Sequence, residues 1–245
     1  MTSAYSRDGF GYGRPNLATI GFDADDTLWQ NEKFFRIAQE RFTALLSDFA
    51  EPDILNKTLL ETEISNLKVY GFGVKSFILS MIETALHFTG HHVPEEIVNE
   101  ILETGKELKS YPVELIPGAR EAVERLAGSV NVILLSKGDL FDQERKLAQS
   151  GLVELFDGVE IVSDKTSEVY VRVFQKYGAR ADNAMMVGNS LKSDIVPALS
   201  AGSWAVFVPH ELTWEYEHAE LPSDAPRFIQ LPRIGELPEL VADRF

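Results

Sequence analysis

Ala18-Thr19-Ile20-Gly21-Phe22-Asp23-Ala24-Asp25-Asp26-Thr27-Leu28 is the stretch on which the reading of this chain turns. Residues 18–22 form a short apolar run that reads as a buried strand, and it ends in three carboxylates within four residues. Like charges this close repel, and a buried carboxylate must find a partner or shift its pKa. A hard divalent cation such as Mg²⁺ resolves the conflict, since it takes oxygen ligands and commonly combines carboxylates with substrate phosphate oxygens. Open α/β sheets place their sites at the carboxyl ends of strands. Asp23 is the expected chemical centre.

Outward from this turn the texture is helical. Phe34, Phe35, Ala38, Phe42, Leu45 and Leu46 recur at three- and four-residue steps, the mark of an amphipathic helix. Residues 54–67 and 74–88 read as two more, broken by Gly71 and Gly73, and Pro94 opens a fourth. No strand pattern intervenes before Pro112, so residues 31–111 are expected to form an all-helical insert. From Pro117 onward helix and strand alternate. Strands are expected at 130–135, 159–162, 184–187 and 204–208, with helices between them, Asp139 capping one and Gly151 closing it. Such alternation implies a Rossmann-like parallel sheet with helices on both faces. The first strand lacks its own covering helix and belongs to that sheet. The expected organisation is an α/β core from residues 17–30 and 112–245, a helical domain inserted after the first core strand, and a loose tail at 1–16. The segment from His210 onward, with Trp214, Tyr216 and a final helix near Leu237, carries little pattern.

Composition narrows the classes. The 245 residues, 44% hydrophobic and 25% charged, suit a globular protein with ample core. A net charge of -15 argues against nucleic acid or acidic membranes as partners. There is no cysteine, which excludes thiolate catalysis and Cys-ligated zinc. Together with the missing secretory signal and the lack of a membrane-length apolar run, this leads to an expectation of cytoplasmic residence.

Four strand ends carry polar residues of one kind. The first ends in Asp23 and Asp25, and the second in Ser136-Lys137-Gly138. The loop after the third carries Lys165, and the fourth ends in Gly188-Asn189-Ser190 with Asp194 following. In this order they resemble the four motifs of the haloacid dehalogenase superfamily, over roughly residues 17–30 and 112–210. The insert matches that family's helical cap by position and helicity. The resemblance implies a capped phosphatase: Asp23 as nucleophile, Asp25 as general acid and then base, Ser136 and the Lys137 amide on the phosphoryl group, and Lys165 neutralising charge. It also implies Mg²⁺ held by Asp23, the Asp25 carbonyl, Asn189 and Asp194. The implied substrate is a small-molecule phosphate ester, hydrolysed through an aspartyl-phosphate.

Taken singly, each motif has a plainer account. Asp-x-Asp suits a helix N-cap, Ser136 a turn, Lys165 the surface, and Asp194 a helix N-terminus. Their joint order outweighs those accounts. Two positions depart from the family pattern: Asn189 stands where many relatives have Asp, and Asp26 where phosphatases of this kind often have glycine. Asp26 is expected to face solvent. The rival readings are a phosphomutase on the same scaffold and a non-catalytic phosphate-ligand-binding relative, the latter favoured only by Asn189. His91-His92 is expected to be an exposed loop pair, Phe72 a core, hinge or substrate-facing residue, and Trp214, Tyr216 and His218 to line a surface or an oligomer contact.

Overall fold

The computed structural model describes residues 16–245, so the expected tail lies, apart from Asn16, outside the described residues. Six strands form one parallel sheet: β1 (Thr19–Phe22), β2 (Asn131–Lys137), β3 (Gly158–Val162), β4 (Ala184–Gly188), β5 (Trp204–Phe207) and β6 (Phe228–Gln230). Their order is β3-β2-β1-β4-β5-β6, and every pairing is parallel. The chain builds outward from β1 to β3 on one side, then restarts at β4 on the other. β1 therefore sits at the point where strand order reverses, which is where open α/β sheets bind their ligands.

The sheet is buried on both faces because alternate residues face opposite layers. Ile20, Phe22, Val132, Leu134, Met185 and Val187 pack in one layer. The helices covering that face are α5 (Ala119–Leu126), α6 (Leu140–Ser150) and α9 (Leu237–Arg244), through residues such as Val123, Leu147 and Leu237. Ile133, Leu135, Met186 and Ala205 pack on the other face. They meet Tyr170, Val173 and Phe174 of α7 (Ser167–Lys176) and Ala198 of α8 (Val196–Ser200).

Between β1 and α5 run four helices: α1 (Glu32–Leu45), α2 (Pro52–Tyr70), α3 (Val74–Phe88) and α4 (Glu95–Ser110). They enclose a separate core, with Phe42, Leu46, Leu55, Leu59, Met81 and Ile101 nearly inaccessible to solvent. Gly71 and Gly73, both at positive φ, make the sharp turn from α2 into α3 that an L side chain would resist.

Three features differ from the expectations. The segment after His210 contributes a sixth strand, β6, paired to β5. Its three residues, between Pro226 and Pro232, are too few to display a period. The helix expected between the strands at 184–187 and 204–208 opens instead with a π-type turn, Leu191–Ile195, ahead of α8. Asp26 is not solvent-facing: only 8% of its surface is exposed. It has φ +60, a conformation glycine adopts without strain, and its carboxylate accepts hydrogen bonds from the Asn31 and Glu32 amides at the start of α1.

Candidate active site

The carboxyl ends of β1, β2 and β4 lie side by side, because Phe22 pairs in register with both Leu134 and Val187. Asp23 follows directly, its amide bonded to the Val187 carbonyl at 2.9 Å. The Lys165 ammonium, almost wholly buried, forms ion pairs with both Asp23 and Asp194, the latter at 2.7 Å. Asp194 reaches this position because the π-type turn carries it back under Gly188, and a Cβ on Gly188 would collide with its carboxylate. The Ser190 amide holds the other Asp194 oxygen at 2.9 Å. The Thr27 hydroxyl lies 3.3 Å from Asp23 Oδ2 and donates to Asn189 Oδ1 at 3.0 Å, joining β1 and β4.

Electrostatics follow from this packing. Burial and the charge of Asp194 push the Asp23 carboxyl up to about 7, with Lys165 opposing. Burial alone would lower Lys165, but its two carboxylate partners hold it above the ordinary lysine range. Asp25 is treated differently. Burial would raise it, yet the Lys146 charge and the Lys146, Gln143 and Trp29 hydrogen bonds, at 2.9, 2.8 and 2.7 Å, hold it below the usual carboxylate range. The two acids thus have environments that push them apart.

Ser136 is buried at the end of β2 and accepts from Gln143 Nε2 at 2.9 Å. The Lys137 side chain turns away from Asp23. It pairs with Glu217, donates to Ser193 Oγ at 2.6 Å and lies 3.9 Å from the Phe72 ring centre. All the sequence-predicted site residues except Lys165 line one cavity of about 180 Å³, and Lys165 lies beneath it through Asp23 and Asp194. The helical block supplies the opposite wall, with Phe35, Glu63, Phe72 and Phe77 among its residues. Phe72 and Trp214 face this cavity, and Trp214, Tyr216 and Phe72 pack together within the chain. His91 and His92 are exposed, as expected.

Sequence reading missed Thr27, Gln143, Lys146 and Glu217. Thr27 extends the first motif to Asp-x-Asp-x-Thr, and Gln143 and Lys146 share one helix face at a three-residue step; both signals are present in the sequence. Glu217, which accepts from Lys137, Ser190 and Ser193, comes from the segment without pattern. The donor set suits a hard divalent ion: Asp23 and Asp194 offer carboxylate oxygens, Asn189 an amide oxygen, and two carboxyl groups share one ammonium. Among the described residues no group of three or more His, Cys, Asp or Glu is set to hold a metal, so carboxylates alone do not make a cation shell here.

Comparison with known proteins gives the same frame. A solved haloacid dehalogenase-like family hydrolase from Xanthomonas campestris is 37% identical, with TM-score 0.81, covering 94% of this chain and 96% of its own. The magnesium-bound structure of YfnB from Bacillus subtilis shares the fold at 16% identity and TM-score 0.65, over 92% of this chain and 99% of that one. A glyceraldehyde 3-phosphate phosphatase of Methanothermobacter thermautotrophicus is 25% identical over 213 residues, 83% of this chain and 91% of the relative. The family model for haloacid dehalogenase-like hydrolases matches residues 17–202, spanning the whole constellation from Asp23 to Asp194, and the chain belongs to that family.

Proposed function

We propose that the protein is a Mg²⁺-dependent phosphomonoester hydrolase acting on a small phosphorylated metabolite. The observation that carries the reading is the pairing of two unlike carboxylates at one strand end: Asp23 on Lys165, and Asp25 on Lys146 and Gln143. A phosphatase of aspartyl-phosphate type needs this combination, and a binding module needs neither member. The phosphatase relative, 25% identical, lends support to the class of substrate.

In the first step an Asp23 oxygen attacks phosphorus and the bond to the leaving oxygen breaks, while Asp25, having taken up a proton from solvent as its Lys146 contact loosens, passes that proton to the leaving oxygen. Water then attacks the phosphoryl group, passing its proton to Asp25 as phosphate leaves Asp23. Ser136 and the Lys137 amide bind the phosphoryl oxygens, and Lys165 keeps Asp23 oriented and balances charge. Asp23, the Asp25 carbonyl, Asn189 and Asp194 would hold Mg²⁺, which supplies charge neutralisation at the phosphoryl group when bound. With Lys146, Gln143 and Trp29 all donating to it, Asp25 is set as a base. Acting as an acid requires loosening the Lys146 contact, which Lys146 also shares with Asn31 at the entry to α1.

Substituting Asp25→Asn is expected to cut turnover of an alkyl phosphate by roughly 10²–10⁴-fold. An aryl phosphate, whose leaving group needs little protonation, should lose less in the first step. Equal activity of Asp25→Asn and wild type on the alkyl ester would sink the assignment.

A further inference from the structure

Glu217 comes from the segment after β5, yet its side chain is buried at the wall of the cavity. One carboxylate oxygen accepts from the Lys137 ammonium at the end of β2. The other accepts from the hydroxyls of Ser190 and Ser193, at the start of and within the π-type turn after β4. The direction of each hydroxyl proton is forced. Ser193 Oγ accepts from the Lys137 ammonium at 2.6 Å, and an ammonium only donates, so the Ser193 proton goes to Glu217. Ser190 Oγ accepts from the Ser193 amide at 2.9 Å, and its proton goes to Glu217 as well. Three donors therefore converge on a group that only accepts.

The same two serines stand next in the chain to Asn189 and Asp194, the residues assigned to Mg²⁺. The Ser190 amide donates to Asp194 Oδ2 at 2.9 Å, and the Ser190 carbonyl accepts from the Asp194 amide at 2.9 Å. A π-type turn is a rare conformation, so contacts from outside it matter to its shape. One is the Tyr170 hydroxyl donating to the Ser193 carbonyl at 2.9 Å, and two more run to Glu217. Lys137 carries the network on to the strand end whose Ser136 and amide are assigned to the phosphoryl group. We infer that Glu217 is a positioning residue: it ties the turn over residues 189–194 to the end of β2, and through the two serines it sets the affinity of the site for Mg²⁺. The inference rests on the hydrolase reading for the assignment of the metal ligands. Gln cannot take the place of Glu217, because either orientation of its amide turns an NH₂ toward the Lys137 ammonium or toward two hydroxyl donors.

Chelator-stripped wild type and Glu217→Gln, titrated with Mg²⁺ alone in a calorimeter, should differ in Kd by about 10–100-fold, the usual loss when a partner that orients metal ligands is removed. With an aryl phosphate the variant should need correspondingly more Mg²⁺, and its kcat at saturating Mg²⁺ should return to within a few-fold of wild type. A carboxylate with a merely structural role would lower the melting temperature and leave the Mg²⁺ Kd in place. Ser190→Ala should weaken Mg²⁺ binding too, and the double variant should lose less than the product of the two single losses, since both cut one network. Should Glu217→Gln not fold, as circular dichroism would show, Ser190→Ala decides alone. Amide hydrogen exchange in chelator adds a readout without metal: the peptide over residues 189–195 should lose protection in the variant, and the peptide over β1 should not. An unchanged Kd, or unchanged exchange over 189–195, overturns the inference even if the enzyme is an active phosphatase. A wild type that binds Mg²⁺ but releases no phosphate contradicts the hydrolase reading alone, and the Kd comparison still decides this one. A wild type that binds no Mg²⁺ overturns both.

Discussion

At Lys165 one buried ammonium serves two buried carboxylates. Replacing it with Met leaves Asp23 and Asp194 facing each other without compensation, at a cost of about 3–5 kcal/mol. Denaturant unfolding of Lys165→Met in chelator should show that loss, and adding Mg²⁺ should recover part of it. Glu63 gives a pH-dependent counterpart. Its carboxyl is pushed from an ordinary 4.5 up to about 8 in the folded chain. The folded state therefore keeps this proton while the unfolded state loses it, so its contribution to stability declines as pH rises through that interval. Below about pH 4.5 both states are protonated and nothing is lost. Glu63→Gln should melt near wild type at the acid end and progressively higher toward pH 8. An equal difference at all pH values would contradict the assigned burial. At this scale the sequence was informative wherever residue type and strand position coincided, as at Asp23, Lys165 and Asp194. It was silent on partners: nothing in the order of residues says that Lys146 reaches Asp25 across 121 positions.

Among elements, the entry to α1 shows how a local rule gives way to a tertiary one. Asn31 stands at the N-cap position, yet its side chain makes no capping bond and is committed to Lys146. Asp26, five residues back in a left-handed conformation, accepts from the first amides instead. Asp26→Ala loses those acceptors and keeps a Cβ at positive φ, so it should cost about 1–3 kcal/mol. Asp26→Gly loses the same bonds but relaxes the backbone, and should cost less by roughly 1 kcal/mol. The two melting temperatures check the order. The helices α1 to α4 and strands β2 and β4 were legible because long periodic or continuous apolar runs leave few alternatives. β6 and the π-type turn were not. The former is a three-residue pairing against β5, and the latter arises because Asp194 must swing under Gly188.

Over the whole molecule, polar and aromatic contacts join the helical block to the sheet near the cavity. Lys75 and Lys109 of the block reach Asp139, at 2.6 and 3.7 Å. Phe72 lies on the Lys137 ammonium and against Trp214 and Tyr216. Cations over aromatic faces contribute about 0.5–2 kcal/mol. Phe72→Ala should therefore weaken closure over the cavity and raise KM more than it lowers kcat. A pure loss of kcat would move Phe72 out of that role. The net charge of -15 makes these local cations the more telling, since an anionic ester must approach against the overall field. That the segment after His210 supplies Trp214 and Glu217 to the site could not be read in advance, because short turns without period carry no signal of where they dock.

The most direct measurement is phosphate release from a generic aryl phosphate, with and without Mg²⁺, by wild type and Asp23→Asn. The account predicts turnover that depends on Mg²⁺ and falls by roughly 10³-fold or more in the variant. A folded wild type that releases no phosphate at any Mg²⁺ concentration, or an Asp23→Asn protein as active as wild type, would contradict it.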